Sequence, residues 1–233
     1  MRSSNACRSR SLALASGLLL LALVGARAQA AEPTPTRTPA PDATPVTLDS
    51  LLGAFQKMPG LEARFVEAKH LALLAAPLES SGHLYFVPPG LLARHTEAPS
   101  PSRVVIAPDA VRYSDAEGSG RIDLSARPDV RTFVESFVRV LAGDREGLAR
   151  IYELKFQPPG ADDPRWTLEL VPRGPPLREL VTRLRIRGQG LAVEEIRVDE
   201  ASGDYSVTRI LEADPQRRFT PEERARLFDV SPR

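Results

Sequence analysis

Histidine and cysteine are the side chains that most often bind metals or carry out catalysis, and here their spacing supports neither role. The three histidines, His70, His83 and His95, stand far apart, and no His-Glu-x-x-His pattern surrounds them. Because metal sites need ligands at short fixed spacings, each histidine is interpreted as a surface or rim residue. The single cysteine, Cys7, lies near the N-terminus. We therefore expect no metal site and no cofactor.

Patterns for nucleophilic and acid–base catalysis are missing as well. No Gly-x-Ser-x-Gly sequence occurs, and Gly118-Ser119-Gly120 is predicted to be a turn. The carboxylates are numerous but evenly spread, so no acid–base pair stands out. No phosphate-binding loop occurs either. The sequence favours a protein that is not an enzyme.

Arginines alternate with apolar residues in one late segment, where Arg183, Arg185 and Arg187 flank Leu184 and Ile186. These arginines could form an anion-binding ladder. The alternation alone also explains them as the solvated face of a strand, and we prefer that interpretation.

The charge balance excludes another class of partner. The chain has 31 basic and 30 acidic residues, but four of the arginines lie within residues 1–30, which leaves 27 basic residues against 30 acidic ones. A chain without a basic excess is not expected to bind nucleic acid or an anionic membrane surface.

The N-terminus has the features of a secretory signal peptide, predicted to be residues 1–30. Arginines precede an apolar run at residues 12–24, and Ala28-Gln29-Ala30 fits a cleavage site. A retained membrane anchor is the alternative, but the run is shorter than the roughly 20 residues that span a bilayer. Cleavage would remove Cys7, so the mature chain would have no thiol.

Proline and threonine dominate residues 31–46, which are predicted to be a disordered tether or simply an unstructured tail. Residues 47–233 are long enough for a single domain with its own hydrophobic core.

Two amphipathic helices are predicted from apolar residues that recur every three or four positions. Thr47 caps the first helix, and Pro59-Gly60 ends it; Pro128 opens the second, and Gly143 follows it. The apolar stripes are Leu48, Leu51, Leu52, Phe55 and Met58 in the first helix, and Val130, Phe133, Val134, Phe137, Val138 and Leu141 in the second.

Alternating apolar and polar residues predict strands elsewhere. Residues 81–99 form a hairpin that turns at Pro88-Pro89-Gly90. In the strand before it, Ala63 and Phe65 are placed on one face and Glu67 mostly on the other. About nine to eleven antiparallel strands are expected. The predicted fold is mostly β with helices (α+β): an incomplete antiparallel β-barrel, or curled sheet, with a helical lid over an apolar cavity.

Alternation also divides the strands into a cavity side and an outer side. Tyr85 and Val87 are placed on the outer side or rim, where an apolar pair would be a docking surface. The predicted lining of the cavity is Phe65, Leu84, Phe86, Leu92, Tyr113, Phe133, Phe137, Trp166, Leu168, Leu184, Ile186 and Ile196.

The order of these elements resembles the LolA family of periplasmic lipoprotein carriers. The similar motifs are the first helix leading into Leu61-Glu62-Ala63-Arg64-Phe65, the hairpin that begins Gly82-His83-Leu84-Tyr85, and Leu141-Ala142-Gly143-Asp144 after the second helix. They extend over about residues 47 to 229, and the departures place the chain in a divergent branch of the family.

The resemblance implies a hydrophobic cavity that shields acyl chains in the periplasm of a Gram-negative bacterium. It also implies an inner-membrane donor complex and an outer-membrane acceptor as partners. The family's gating arginine precedes the hairpin proline; this chain has Pro88 there, and Arg94 is the nearby candidate for gating.

The leading hypothesis is therefore a monomeric, non-catalytic carrier that delivers a lipoprotein or another envelope lipid towards the outer membrane. A lipid-sensing adaptor in envelope signalling or assembly is the alternative, and an enzyme of envelope lipid metabolism is less favoured.

Overall fold

A computed structural model describes residues 46–230 of the chain. The predicted signal peptide and nearly all of the predicted tether lie outside the described residues. Among residues 46–230, no helix has both the length and the apolar character needed to cross a bilayer.

Eleven strands form one antiparallel sheet, in which the buried positions recur every second residue, as in Trp166, Leu168 and Leu170. The strands are β1 (Leu61–His70), β2 (Leu78–Val87), β3 (Leu91–Ala98), β4 (Ser102–Ile106), β5 (Ala110–Asp115), β6 (Gly118–Asp123), β7 (Tyr152–Gln157), β8 (Arg165–Pro172), β9 (Val181–Gln189), β10 (Ala192–Glu200) and β11 (Tyr205–Asp214).

The strand order shows that the sheet is open. It runs β6-β5-β4-β3-β2-β1-β11-β10-β9-β8-β7, so two meanders join where β1 pairs with β11. Strands β6 and β7 are the two edges. The prediction of a mostly β fold with an incompletely closed, curled sheet and helices is confirmed.

The described chain contains four α-helices, two more than predicted: α1 (Leu48–Gln56), α2 (Pro128–Leu141), α3 (Arg145–Ile151) and α4 (Pro221–Leu227). The two predicted helices begin and end close to the expected residues. The fourth helix was missed, although Thr220 and Glu223 form a capping box around Pro221.

Helices α1, α2 and α3 cover one face of the sheet, which we call the inner face. Glycine permits the sharp reversal that follows α2, because Gly143 has a φ of +66° and a Cβ there would lie 2.2 Å from the Leu52 carbonyl oxygen. This close contact fixes the C-terminal end of α2 against α1.

The opposite, outer face is partly covered by the chain's own C-terminus. Phe219, Phe228 and Val230 pack with Tyr85 and Val87 in one buried cluster on strands β2 to β4. We call residues 219–230 the C-terminal strap.

The predicted turn at Gly118-Ser119-Gly120 is wrong. The chain turns two residues earlier, at Ala116 and Glu117, because the Asp115 carboxylate accepts hydrogen bonds from the backbone N–H groups of Glu117 and Gly118. Strand β6 therefore begins at Gly118, and Gly120 lies within it.

Candidate functional site

Cross-strand pairing places every predicted cavity residue of the strands on the inner face. Phe65 lies opposite Gly82 and Ile210, for example, and Ile186 lies opposite Leu168 and Ile196. Phe133 and Phe137 of α2 pack onto the same face, with their rings in edge contact at 5.1 Å between centroids. The alternation rule therefore placed these side chains on the correct side, while their role in lipid binding stays a prediction.

One part of the inner face is a closed core. Trp166, Leu168, Leu184 and Ile186 are at most 3 % exposed and pack beneath α1 and α3. The indole N–H of Trp166 donates to the Gly190 carbonyl oxygen at 2.9 Å, which satisfies its one polar atom. These residues fill space in this structure and do not border a cavity that a ligand could enter without rearrangement.

The other part lies on β3 to β6, under the stretch of α2 from Val130 to Val138. Val130, Val134 and Val138 of α2 pack there against an apolar patch, and many of the contacting side chains are only half-buried. The patch consists of Leu92, Val104, Ile106, Val111, Ile122 and Leu124. We call it the α2 compartment.

A small cavity opens beside this compartment. It has a volume of about 50 Å³, and Val104, Val111, Tyr113 and Ile122 form its apolar wall, with Arg94 beside them. Ligand pockets in proteins are commonly about 300–1,000 Å³. The cavity beside the α2 compartment is therefore smaller than an ordinary ligand pocket.

A larger groove, with a volume of about 670 Å³, lies on strands β1, β2 and β11. Charged and small side chains, among them His70, Glu79 and Arg209, alternate along it with Val66 and Val207. It is broadly open to solvent and lacks the enclosed apolar walls that an acyl chain requires. The α2 compartment is the better candidate.

A buried ion pair lies between the two parts of the inner face. Both terminal nitrogens of Arg94 donate to the Glu67 carboxylate, at 3.1 and 3.0 Å, and the two side chains are only 15 % and 3 % exposed. The Thr208 hydroxyl donates to the same carboxylate at 2.6 Å. The guanidinium also lies 4.2 Å from the Phe65 ring centroid. These contacts fix Arg94 firmly to the sheet.

The placement of Glu67 corrects the sequence interpretation. Glu67 was assigned mostly to the face opposite Phe65, but the two residues are two positions apart and share the inner face. The prediction followed the charge of Glu67, which is typical of a solvated face, and not the two-residue period of the strand. The next inner residue, Lys69, is also buried and bonds to Glu200 at 2.8 Å, and the sequence interpretation missed it too.

The gating role expected for Arg94 stays a prediction. Its observed polar partners are Glu67 and Ser80, which belong to β1 and β2 and not to the α2 lid. Ser136 of α2 is buried, and its hydroxyl donates to the Phe133 carbonyl oxygen at 2.6 Å. Burial raises the pKa of the Tyr152 hydroxyl on β7, while a hydrogen bond with Ser136 lowers it.

The docking surface expected at Tyr85 and Val87 is not open. Both residues lie on the outer face, as alternation predicted, but they are 8 % and 3 % exposed. The C-terminal strap covers them with Phe219 and Phe228. The chain itself occupies the surface that the sequence left for a partner.

His95 is likewise buried and not a surface or rim residue. Its Nε2–H donates to the Leu227 carbonyl oxygen at 2.7 Å, which joins β3 to the strap. Among the described residues, no group of three or more potential ligands could hold a metal ion. His95 has a structural role in attaching the strap.

This attachment should weaken in acid. Burial lowers the pKa of His95, although its bond to Leu227 acts in the opposite direction, while Arg103 and His83 lower it further. The unfolded chain then takes up the proton first, so stability is complete above about pH 6.5 and falls as the pH drops below that value. We expect urea unfolding at pH 8.0 and 5.5 to show a larger loss for the wild type than for His95→Gln, which keeps a donor to Leu227. Equal losses would contradict this assignment.

The arginines of β9 are paired with carboxylates. Arg183 bonds to Asp199, Arg185 to Glu169 and Arg187 to Asp163, each at 2.9 Å. Charge-paired, partly exposed side chains fit the solvated face of a strand better than an anion-binding ladder.

A family model described as "Outer membrane lipoprotein carrier protein LolA-like" matches residues 40–217. No curated protein sequence matches the chain.

Several solved structures are similar in fold at low sequence identity. The LolA superfamily protein NE2245 from Nitrosomonas europaea is 12 % identical, over 77 % of this chain and 97 % of that chain, with a TM-score of 0.42. A DUF1329 family protein from Desulfovibrio piger is 13 % identical, over 79 % and 95 %, with a TM-score of 0.46. The Pseudomonas aeruginosa MucA/MucB complex contains a chain that is 9 % identical, over 75 % and 59 %, with a TM-score of 0.42.

Proposed function

From the premise that this chain belongs to the LolA-like family of outer membrane lipoprotein carrier proteins, we propose that it is a non-catalytic periplasmic carrier for acyl chains. The cargo is a lipoprotein or another envelope lipid, and the direction of delivery is towards the outer membrane. The predicted signal peptide supports export, and the absence of catalytic motifs in the sequence supports a binding role.

The observation that carries the proposal is the α2 compartment. An amphipathic helix lies there on the inner face of an open sheet, and the side chains between them are apolar but not fully sealed. The core under α1 and α3 is tightly buried and provides the rigid half. The C-terminal end of α2 is held by Gly143 against α1 and by Val140 in the tight core, so the N-terminal part of the helix is the part proposed to lift.

Burial of apolar surface supplies the affinity. Each buried CH₂ group contributes about 0.8 kcal/mol, so part of one acyl chain is enough for micromolar binding without a specific polar contact. Some of that energy is used to separate α2 from the compartment. Cargo is released when an acceptor offers the chain a more favourable apolar surface.

A charge on the contact face of α2 tests the proposal. We expect Phe133→Glu to weaken binding of a fluorescent fatty acid by about tenfold or more, because Phe133 packs against the α2 compartment and its carboxylate replacement must be buried there or the helix must remain lifted. Fluorescence titration of the purified exported protein measures the affinity. Circular dichroism establishes whether the fold is retained.

The matched control is Thr132→Glu, which adds the same charge at a half-buried position outside the apolar stripe of the same helix. It should bind the probe like the wild type. Equal binding by both variants would mean that α2 does not cover the lipid, and no binding by the wild type would reject the carrier proposal.

A further inference from the structure

We propose that the α2 compartment selects acyl ligands with an anionic headgroup, and that the guanidinium of Arg94 binds that headgroup. This inference rests on the proposed carrier function and adds the chemical class of the cargo. It depends on how polarity changes along four neighbouring strands.

The inner-face residues of β3 to β6 form three rows across the strands. Pairing aligns the residues of each row, and the rows follow one another from the hairpin end of the sheet to its opposite end. The apolar row is Leu92, Ile106, Val111 and Ile122; the middle row is Arg94, Val104, Tyr113 and Gly120; the polar row is Thr96, Ser102, Asp115 and Gly118.

All four strands therefore change from apolar to polar in the same direction. The apolar row packs beneath α2, whereas the small cavity lies beside the middle row and reaches Thr96, Ser102 and Asp115. An amphiphile fits this gradient in one orientation only. Its acyl chain would lie under α2, and its headgroup would lie next to Arg94.

Arg94 of the middle row borders the small cavity, and its neighbours in that row form the adjoining wall. The Tyr113 ring lies flat over Gly120, where a Cβ would be 2.3 Å from the phenol oxygen. The ring is thereby held against β6. Tyr113 and Val104 form the neighbouring wall, and Arg94 is the residue of the middle row that carries a charge.

The bonding of Arg94 leaves a donor available. Glu67 and Ser80 accept from the two terminal nitrogens, but the buried Nε–H has no acceptor among the described residues. An unsatisfied buried donor costs about 1–3 kcal/mol, and a charged acceptor gives the strongest bond to it. A carboxylate or phosphate oxygen of a headgroup would satisfy this atom.

Glu67 positions the guanidinium and also limits the affinity. Thr208 holds the carboxylate, which in turn orients Arg94 through two bonds. Because Glu67 already neutralises Arg94, an incoming anion gains a charge-assisted hydrogen bond and not a full ion pair. The expected preference for an anionic head is therefore about tenfold, which keeps the cargo exchangeable.

The experiment compares two probes that differ only in head charge, 11-(dansylamino)undecanoic acid and its methyl ester, with the purified exported protein at pH 8. The wild type should bind the acid about tenfold more tightly than the ester. The double variant Glu67→Gln/Arg94→Gln should bind the acid no better than the ester. The control Arg64→Gln/Glu212→Gln, an exposed ion pair on β1 and β11, should keep the preference.

A third variant keeps the test decisive if the double variant does not fold. Arg94→Lys keeps a cation beside Glu67, so the buried charge stays paired, but it lacks the Nε–H donor and should bind the acid no better than the ester. Equal affinity of the wild type for acid and ester, or a preference retained in the double variant, would overturn the inference. Failure of the wild type to bind either probe would instead reject the carrier function itself.

Discussion

Replacing Glu67 with leucine is expected to lower the free energy of unfolding by about 3–5 kcal/mol, because it leaves the Arg94 guanidinium buried without its anion. Glu67 accepts three hydrogen bonds, two from Arg94 and one from Thr208, and its side chain is only 3 % exposed. Urea unfolding followed by circular dichroism would measure the loss.

An exposed ion pair provides a matched control for Glu67→Leu, and a double variant tests whether Glu67 and Arg94 are coupled. Arg64 and Glu212 join β1 and β11 at 3.0 Å but are 48 % and 74 % exposed, so Glu212→Ala should cost about 1 kcal/mol or less. Glu67→Leu/Arg94→Leu should be clearly more stable than the sum of the single losses predicts, because it leaves no unpaired charge. Additive losses would show that the two side chains are not coupled.

The same ion pair explains why the inner face has two parts. A continuous apolar face would allow the packing under α1 and α3 to extend beneath all of α2. Glu67 and Arg94 interrupt it with groups that must keep their partners. The buried residues of the tight core and of the α2 compartment therefore form two clusters, and Phe133 of α2 packs against both.

Alternation predicted the fold well because the strands of this protein are amphipathic. In β8 the buried positions are every second residue, and the inner-face positions of Trp166 and Leu168 could be read directly from the sequence. The prediction failed at Glu67. The two-residue period of the strand places Glu67 on the same face as Phe65, but its charge suggested the opposite, solvated face. A buried charge is stable only with its partner, and that partner lies 27 residues away on β3.

Two other features depend on contacts that a local pattern does not contain. Tyr85 and Val87 form an apolar outer pair, and their cover comes from Phe219 and Phe228, far along the chain. Leu184, Ile186 and Leu92 are also alike in sequence, since each is an apolar residue at an inner-face position of a strand. Only the packing of the helices decides which of these positions is sealed and which borders the α2 compartment.

Gly82 is the glycine of the hairpin motif, and its replacement by alanine is expected to cost at least about 3 kcal/mol, at the upper end of the range for overpacking. A Cβ at this position would lie 1.9 Å from the carbonyl oxygen of His95 and 3.0 Å from the Cα of Thr96. Both are backbone atoms, so no side chain can rotate away.

The cost arises where the sheet bends. The pairing of β2 with β3 shifts register between Ser81 and Gly82, and the backbone of His95 and Thr96 lies directly against Gly82 there. An added methyl group would push β3 away from β2, and Arg94 would then be drawn from Glu67. Gly82→Ala should therefore lose stability and also the preference for the acidic probe.

Gly53→Ala is the control for Gly82→Ala. Gly53 lies within α1, where a Cβ would meet nothing within 4 Å. Alanine there should raise the free energy of unfolding by about 0.5–1 kcal/mol, because it favours the helix. Urea unfolding of the two variants should give changes of opposite sign. If Gly82→Ala instead unfolds like the wild type, β2 and β3 can separate without cost, and the tight bend is not required for the curled sheet.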